Sequence, residues 1–200
     1  MTDAAVRRRY TEMADVYIDM FGATARVDPE DLAFLERSLG SCHGTVLDAG
    51  CGPGHLTAYL KNLGVSAKGI DLVPAFISSA RSNWPDLDFT VGSLHRLDTP
   101  DGTLDGILAW YSLIHCEPAE LATVLDEFRR TLRDGGRLVV GFFDGDEIEP
   151  FDHKVTTAYR WPVDELSRRL SVAGFTEVER LRRAGTSSTR PHAALALSAT

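Results

Sequence analysis

Two carboxylates and a set of alternating glycines carry the first chemical signal in this sequence. Asp48 closes the apolar run Thr45-Val46-Leu47, and Gly50, Gly52 and Gly54 follow, interleaved with Cys51 and Pro53 and succeeded by His55. Glycine admits backbone angles closed to other residues and lets a ligand approach the main chain. The stretch that starts at His55 has helical spacing, and its first amides are expected to point into the same space and to favour a polar ligand. Asp71 follows the second strand expected at Ser66–Ile70, where a carboxylate can accept bonds from both hydroxyls of a ribose. The pattern predicts a bound nucleoside.

A glycine loop alone permits a phosphate, a dinucleotide or a sulfonium nucleoside. A phosphate loop needs Gly-Lys-Ser/Thr at the start of the helix, and this loop has no lysine. The dinucleotide fingerprint wants glycine where His55 stands. Asp48 and Asp71 would repel a pyrophosphate and suit a ligand carrying positive charge. These features tilt the choice to the sulfonium nucleoside.

The elements that position these residues follow from periodicity. Val6, Tyr10, Met13, Ala14, Tyr17 and Met20 predict an amphipathic helix over residues 5–21. Asp28-Pro29 starts a second, with Leu32, Leu35 and Leu39 as its stripe. From residue 45 strands and helices alternate: strands at 45–48, 66–70, 87–91, 104–110 and 137–143, with helices at 55–63, 74–84, 118–132 and 162–173. That rhythm predicts a parallel sheet with helices on both faces. Phe175–Leu181 and Pro191–Leu197 have no helix between them, so they are expected to pair antiparallel. The expected fold class is α/β: a Rossmann-like, seven-stranded, mostly parallel sheet with an antiparallel last strand and two N-terminal lid helices. One domain is expected over residues 1–200, with the lid at 1–40 and the core at 45–200.

Val46-Leu47-Asp48-Ala49-Gly50-Cys51-Gly52-Pro53-Gly54 resembles motif I of the class I S-adenosylmethionine-dependent methyltransferases. Asp71 matches the family's acidic residue after the second strand. Leu97-Asp98-Thr99-Pro100-Asp101-Gly102-Thr103-Leu104-Asp105 resembles the approach to the fourth strand, Leu132-Arg133-Asp134-Gly135-Gly136-Arg137-Leu138 the approach to the fifth, and Ala173-Gly174-Phe175 the end of the last helix. The landmarks keep the family's order over residues 45–182.

The resemblance implies S-adenosylmethionine as cofactor, with S-adenosylhomocysteine as product. It puts the backbone of Gly50, Cys51 and Gly52 against the cofactor's amino-acid portion, with His55 at the end of that loop and Asp48 near the ammonium group. Asp71 would take the ribose hydroxyls and Leu72 would pack on the adenine. Ser93 stands where the family often has aspartate, so its hydroxyl or the amide of Leu94 would face the adenine amino group. Trp110 would border the sulfur. Tyr10 and Tyr17 match tyrosines that close over the cofactor in relatives; packing against the sheet edge explains them equally well.

The sulfonium methyl is already activated, so the protein's tasks are alignment, desolvation and, for weakly acidic acceptors, proton removal. His115 falls where relatives carry histidine, as a base, an acceptor-orienting group or a structural histidine. His153, Tyr159 and Arg160 occupy the segment that covers the acceptor in this family, and Tyr159 joins His115 as a candidate for the chemistry. Tyr111, Phe142, Phe143, Phe151 and Trp161 add aromatic surface for a small, partly apolar acceptor. Asp144, Asp146, Glu147 and Glu149 read as a solvated acidic loop, and no metal site is expected.

Composition narrows the partners. The formal net charge of −8 over 200 residues argues against a nucleic-acid substrate. Cys42, Cys51 and Cys116 have neither zinc nor disulfide spacing. With no signal pattern and no spanning apolar run, a cytoplasmic protein with no membrane partner is expected. The leading expectation is methyl transfer to a small molecule. A nucleotide-dependent oxidoreductase and a catalytically silent cofactor-binding module are the alternatives.

Overall fold

The computed structural model describes residues 3–186 and 189–200. Its strands are β1 (Thr45–Ala49), β2 (Ser66–Asp71), β3 (Asp88–Val91), β4 (Leu104–Trp110), β5 (Leu132–Asp144), β6 (Glu149–Asp152), β7 (Thr157–Trp161), β8 (Phe175–Arg183) and β9 (His192–Ala199). The helices are α1 (Asp3–Glu12), α2 (Ala14–Phe21), α3 (Pro29–Leu39), α4 (His55–Asn62), α5 (Pro74–Asn83), α6 (Leu121–Thr131) and α7 (Val163–Val172), with a 3-10 turn at Thr24–Arg26.

Side chains alternate across a strand, and that period sorts the core into two layers. Leu47, Ala49, Ile107, Ala109, Leu138, Val140, Leu195 and Leu197 face one way, against Val124, Leu125 and Phe128 of α6 and Leu166 and Leu170 of α7. Val46, Leu108, Val139, Ala194 and Ala196 face the other, against Phe34, Leu35 and Leu39 of α3 and Leu56 and Leu60 of α4. Because β4 is covered on both faces it is apolar almost throughout. Burying each large side chain contributes roughly 1.5–3 kcal/mol before the entropy of ordering it is subtracted.

The strands β3-β2-β1-β4-β5 run parallel in that order. β9 pairs antiparallel with β5, and β8 with β9. This is the expected sheet, with one addition. The segment between β5 and α7 forms the antiparallel hairpin β6–β7, whose second strand meets β5 in parallel at Phe143 and Asp144. The Tyr159 amide donates to the Ile114 carbonyl at 2.8 Å, so the hairpin is tied to the segment after β4. Proline at position 150 and an acid-rich sequence hide this hairpin from a periodicity reading.

The N-terminus also differs from expectation. The first helix breaks at Met13 into α1 and α2. α3 is not a lid: Asp28 caps it through the Glu30 amide, and Phe34, Leu35 and Leu39 are completely buried on the sheet. Its stripe fits a core helix as well as a lid, and only the sheet decides between them. Asp31 at its start pairs with Arg183 of β8 at 3.0 Å, which locks α3 to the far edge of the sheet.

Candidate functional site

β1 ends at Ala49 and the chain turns through Gly50, Gly52 and Gly54, with φ of 83°, 54° and 88°. Side chains are excluded here on two counts. The left-handed angles strain any other residue, and a Cβ on Gly54 would meet the Phe89 ring at 2.8 Å while one on Gly50 would overlap Ser112.

The loop's amides do not all face a ligand. Gly50 and Cys51 both donate to the Ile70 carbonyl, at 2.8 and 2.9 Å, and Gly54 donates to Cys51 at 3.0 Å. Gly52 donates to Asp71 Oδ2 at 2.8 Å. Buried backbone donors need partners, and the end of β2 supplies them.

Asp71 is consequently well held. Its Oδ1 accepts from the Val73 amide at 2.8 Å while Oδ2 takes Gly52. Burial pushes its carboxyl up to about 6, opposed by bonds from the Val73, Gly52 and Leu72 amides. The carboxylate has lone pairs left for a diol, and its position is fixed in advance.

Asp48 sits elsewhere than expected. It is 1% exposed, and its Oδ2 accepts from Thr57 Oγ1 at 2.6 Å, inside the first turn of α4. Burial raises it to about 7, opposed by the Thr57 hydroxyl and then, after a further rise from Asp71, by the Thr57 amide. The carboxyl satisfies a helix N-terminus and does not line the crevice. Cys51 is likewise turned away: its thiol packs with Ile77, Ala80 and Phe89, and burial, followed by Asp48 and Asp71, pushes it well above the usual thiol range. His55 is also outside the crevice. Its carbonyl takes Thr24 Oγ1 at 3.1 Å, and burial lowers the imidazole to about 4.

The crevice itself lies beyond the carboxyl ends of β1, β2, β3 and β4, where ligands sit in open α/β sheets. Gly50 and Gly52 form its floor, Asp71 and Leu72 one side, Ser93 and Leu94 the next, and Trp110 the far wall. Tyr10 and Tyr17 cover it from α1 and α2, stacked edge-on at 5.4 Å and both touching Phe76. Burial, followed by the Asp71 charge, raises Tyr17 to about 12.

Sequence reasoning missed Ser112, Phe76 and His95, which line the same space. Ser112 stands beside Gly50, and its buried Oγ has no hydrogen-bond partner among the described residues. A buried hydroxyl without a partner is costly, and a polar ligand on the glycine floor would satisfy it. The only signal in the sequence is its place two residues past Trp110. Tyr111 between them adopts φ 55°, the one non-glycine among the described residues with positive φ, and that turn aims the serine inward.

His115 lines the crevice at 7% exposure. Its Nδ1 lies 2.7 Å from the Thr157 carbonyl and its Nε2 2.8 Å from the Tyr10 hydroxyl. A carbonyl only accepts, so Nδ1 carries the proton and Nε2 accepts from Tyr10. Burial lowers the imidazole's pKa, against the Thr157 bond, and keeps it neutral. Tyr159 does not join it. The ring is half-buried against the α6–α7 layer and does not line the crevice. Its amide bonds the Ile114 carbonyl, and burial, followed by the charges of Glu117, Cys116 and Glu120, raises its hydroxyl's pKa. His153 lies 5.5 Å from His115, ring to ring.

Arginines pair the acids at the two ends of the loop after β5, and Asp144 is buried rather than solvated. Asp144 accepts from Arg182 at 2.8 and 3.0 Å, and Glu149 from Arg160 at 2.6 Å.

Comparison with known proteins gives a consistent picture. A family model described as a methyltransferase domain matches residues 46–136. A 37.1 kDa protein of uncharacterised function in a Streptomyces fradiae transposon is 36% identical over 166 residues, 79% of this chain and 48% of that one. Demethylmenaquinone methyltransferase of Beutenbergia cavernae is 34% identical over 107 residues, 54% of this chain and 44% of that one. The chain thus spans about half the length of these curated relatives. Among solved structures, 1,6-didemethyltoxoflavin-N1-methyltransferase of Burkholderia thailandensis, with bound 1,6-didemethyltoxoflavin and S-adenosylhomocysteine, superimposes with a TM-score of 0.81. It is 25% identical, over 98% of this chain and 88% of that one. No helix among the described residues is long and apolar enough to cross a membrane.

Proposed function

Since the chain belongs to the class I S-adenosylmethionine-dependent methyltransferases, we propose that it transfers a methyl group to a small-molecule acceptor by in-line displacement. The observation that carries this reading is the convergence of the glycine floor, the pre-held Asp71 and the unpartnered Ser112 hydroxyl on one crevice. Bound S-adenosylmethionine supplies a sulfonium methyl that needs no further activation.

The residues' own tasks follow from their chemistry. Asp71 accepts from the ribose hydroxyls, a task its fixed carboxylate performs without reorganisation. Leu72 and Leu94 pack on the adenine, and Ser93 offers a hydroxyl where relatives use a carboxylate. Ser112 bonds the amino-acid end over Gly50 and Gly52. Trp110 borders the sulfur end and excludes water there. Tyr10 and Tyr17 close the crevice from above. His115, held in one tautomer by Thr157, fixes the Tyr10 hydroxyl at the acceptor side. Phe76, Trp110 and Tyr111 line the crevice, whereas Phe142 and Trp161 belong to the core, and that aromatic lining favours a flat, partly apolar acceptor. The Burkholderia relative was solved with 1,6-didemethyltoxoflavin in place, which supports an acceptor of small size.

Isothermal calorimetry with S-adenosylmethionine and with a nicotinamide dinucleotide tests the reading. We expect saturable binding of the first and none of the second. The reverse result overturns it. Release of S-adenosylhomocysteine on adding small aromatic alcohols, amines and nitrogen heterocycles then identifies the acceptor class.

A further inference from the structure

Three side chains able to ligate a metal meet at the β3 side of the crevice. His95 arrives from the segment after β3, and Cys116 and Glu120 from the segment between β4 and α6. One ligand atom of each, an imidazole nitrogen, a sulfur and a carboxylate oxygen, lies within 4.8 Å of the other two. All three are half-buried, and all three line the crevice. Among the described residues no other group of three brings such atoms together.

We propose that His95, Cys116 and Glu120 bind one divalent transition-metal ion of the borderline class that zinc represents. The donor set decides the class. Calcium and magnesium take oxygen ligands, whereas a mixed nitrogen, sulfur and oxygen set suits zinc and cobalt. The geometry is close to what such an ion needs. Metal–ligand bonds of about 2.0–2.3 Å put the ligand atoms of a tetrahedral site roughly 3.3–3.8 Å apart. The three groups therefore close on the ion by rotamer adjustments of about 1 Å.

The local fold supports that closure. The Glu120 and Leu121 amides both donate to the Glu117 carbonyl, at 2.8 and 3.1 Å, so the chain is already turning helically into α6. Cys116 closes the preceding turn, its amide donating to the Leu113 carbonyl at 3.0 Å, so two successive turns bring its sulfur and the Glu120 carboxylate within 4.8 Å. Binding forms a metal–sulfur bond and releases the Cys116 thiol proton to solvent. Three protein ligands leave a fourth position open. It faces the crevice, where a donor atom of a bound small molecule can occupy it. The ion also cross-links the loop that carries Ser93 to the start of α6.

Cobalt(II) added to the full chain, without S-adenosylmethionine, is the direct probe. We expect a thiolate-to-cobalt charge-transfer band that saturates at one equivalent and is displaced by zinc. Cys116→Ser abolishes the band, whereas Cys42→Ser retains it. Glu120→Gln and His95→Gln each weaken binding by about tenfold or more, as loss of a ligand should exceed loss of an outer partner. Circular dichroism checks that each variant is folded. No charge-transfer band in the wild-type chain, or an unchanged band in folded Cys116→Ser, overturns the proposal. Because the readout contains no methyl transfer, its failure is distinguishable from failure of the methyltransferase reading.

Discussion

The Tyr10 hydroxyl donates to His115 Nε2 at 2.8 Å, joining the N-terminal helix α1 to the segment after β4. The same imidazole donates through Nδ1 to Thr157 at the start of β7. One side chain thus ties together the cover of the crevice, its far wall and the added hairpin. Tyr10→Phe keeps the ring against Tyr17 and Phe76 but strands a buried imidazole nitrogen. It should cost about 1–3 kcal/mol of stability, read from denaturant midpoints. An unchanged midpoint would mean that the bond does not hold the cover in place.

Asp71→Ala should weaken S-adenosylmethionine binding by about 1–3 kcal/mol through loss of charged hydrogen bonds. The wild-type affinity should also rise with pH as the carboxyl, pushed up to about 6 by burial, ionises and becomes an acceptor. Calorimetry between pH 5 and 8, which brackets that value, would test this. A variant with wild-type affinity, or a flat wild-type profile, removes Asp71 from the ribose.

Asp48 gives a stability prediction with a definite sign. Its folded pKa, about 7, lies above the unfolded 3.8, so the folded state binds more protons between those values. Stability therefore falls as pH rises through that window, with a limiting slope of about 1.4 kcal/mol per pH unit. Asp48→Asn can still accept from Thr57 and has no charge to bury. It should match wild type near pH 4 and melt at a higher temperature near pH 8. Equal melting temperatures at both would show that the site holds an ionised carboxylate without penalty.

Ser112→Ala should move two measurements in opposite directions. Removing a buried hydroxyl that has no partner among the described residues relieves about 1 kcal/mol in the ligand-free chain and raises its melting temperature. The same change should reduce S-adenosylmethionine affinity severalfold. A variant that loses stability or keeps full affinity contradicts the role given to this serine.

Phe34→Ala distinguishes a core helix from a lid. The ring is fully buried against Val46, Leu108 and Val139, with other residues of that layer around it. Truncation should cost about 3–5 kcal/mol. A loss below about 1 kcal/mol would place α3 outside the core.

How much of this was legible beforehand depends on how local the information was. Gly50, Gly52 and Asp71 could be placed at one crevice because strand period and α/β connectivity bring consecutive strand ends together. The acceptor-bearing atoms were less accessible. Tyr159 carries the right chemistry two residues from the end of β7, but strand alternation turns its ring toward the α6–α7 layer.

By itself, then, the sequence determined the strand–helix alternation, the glycine turn and the nature of the cofactor-type crevice, because each is written in residues a few positions apart. The tertiary structure alone decided where those side chains spend their polar groups. Asp48 lies in the glycine motif, yet a helix N-terminus needed its oxygen more than the crevice did. Gly50 looks into the crevice, but its amide went to Ile70 because a buried donor takes the nearest acceptor. Ser112 and the trio His95, Cys116 and Glu120 acquire their meaning only from neighbours brought up by β1, β3 and α6. Hydrogen-bond satisfaction is a property of three-dimensional neighbours, and no spacing along the chain contains it.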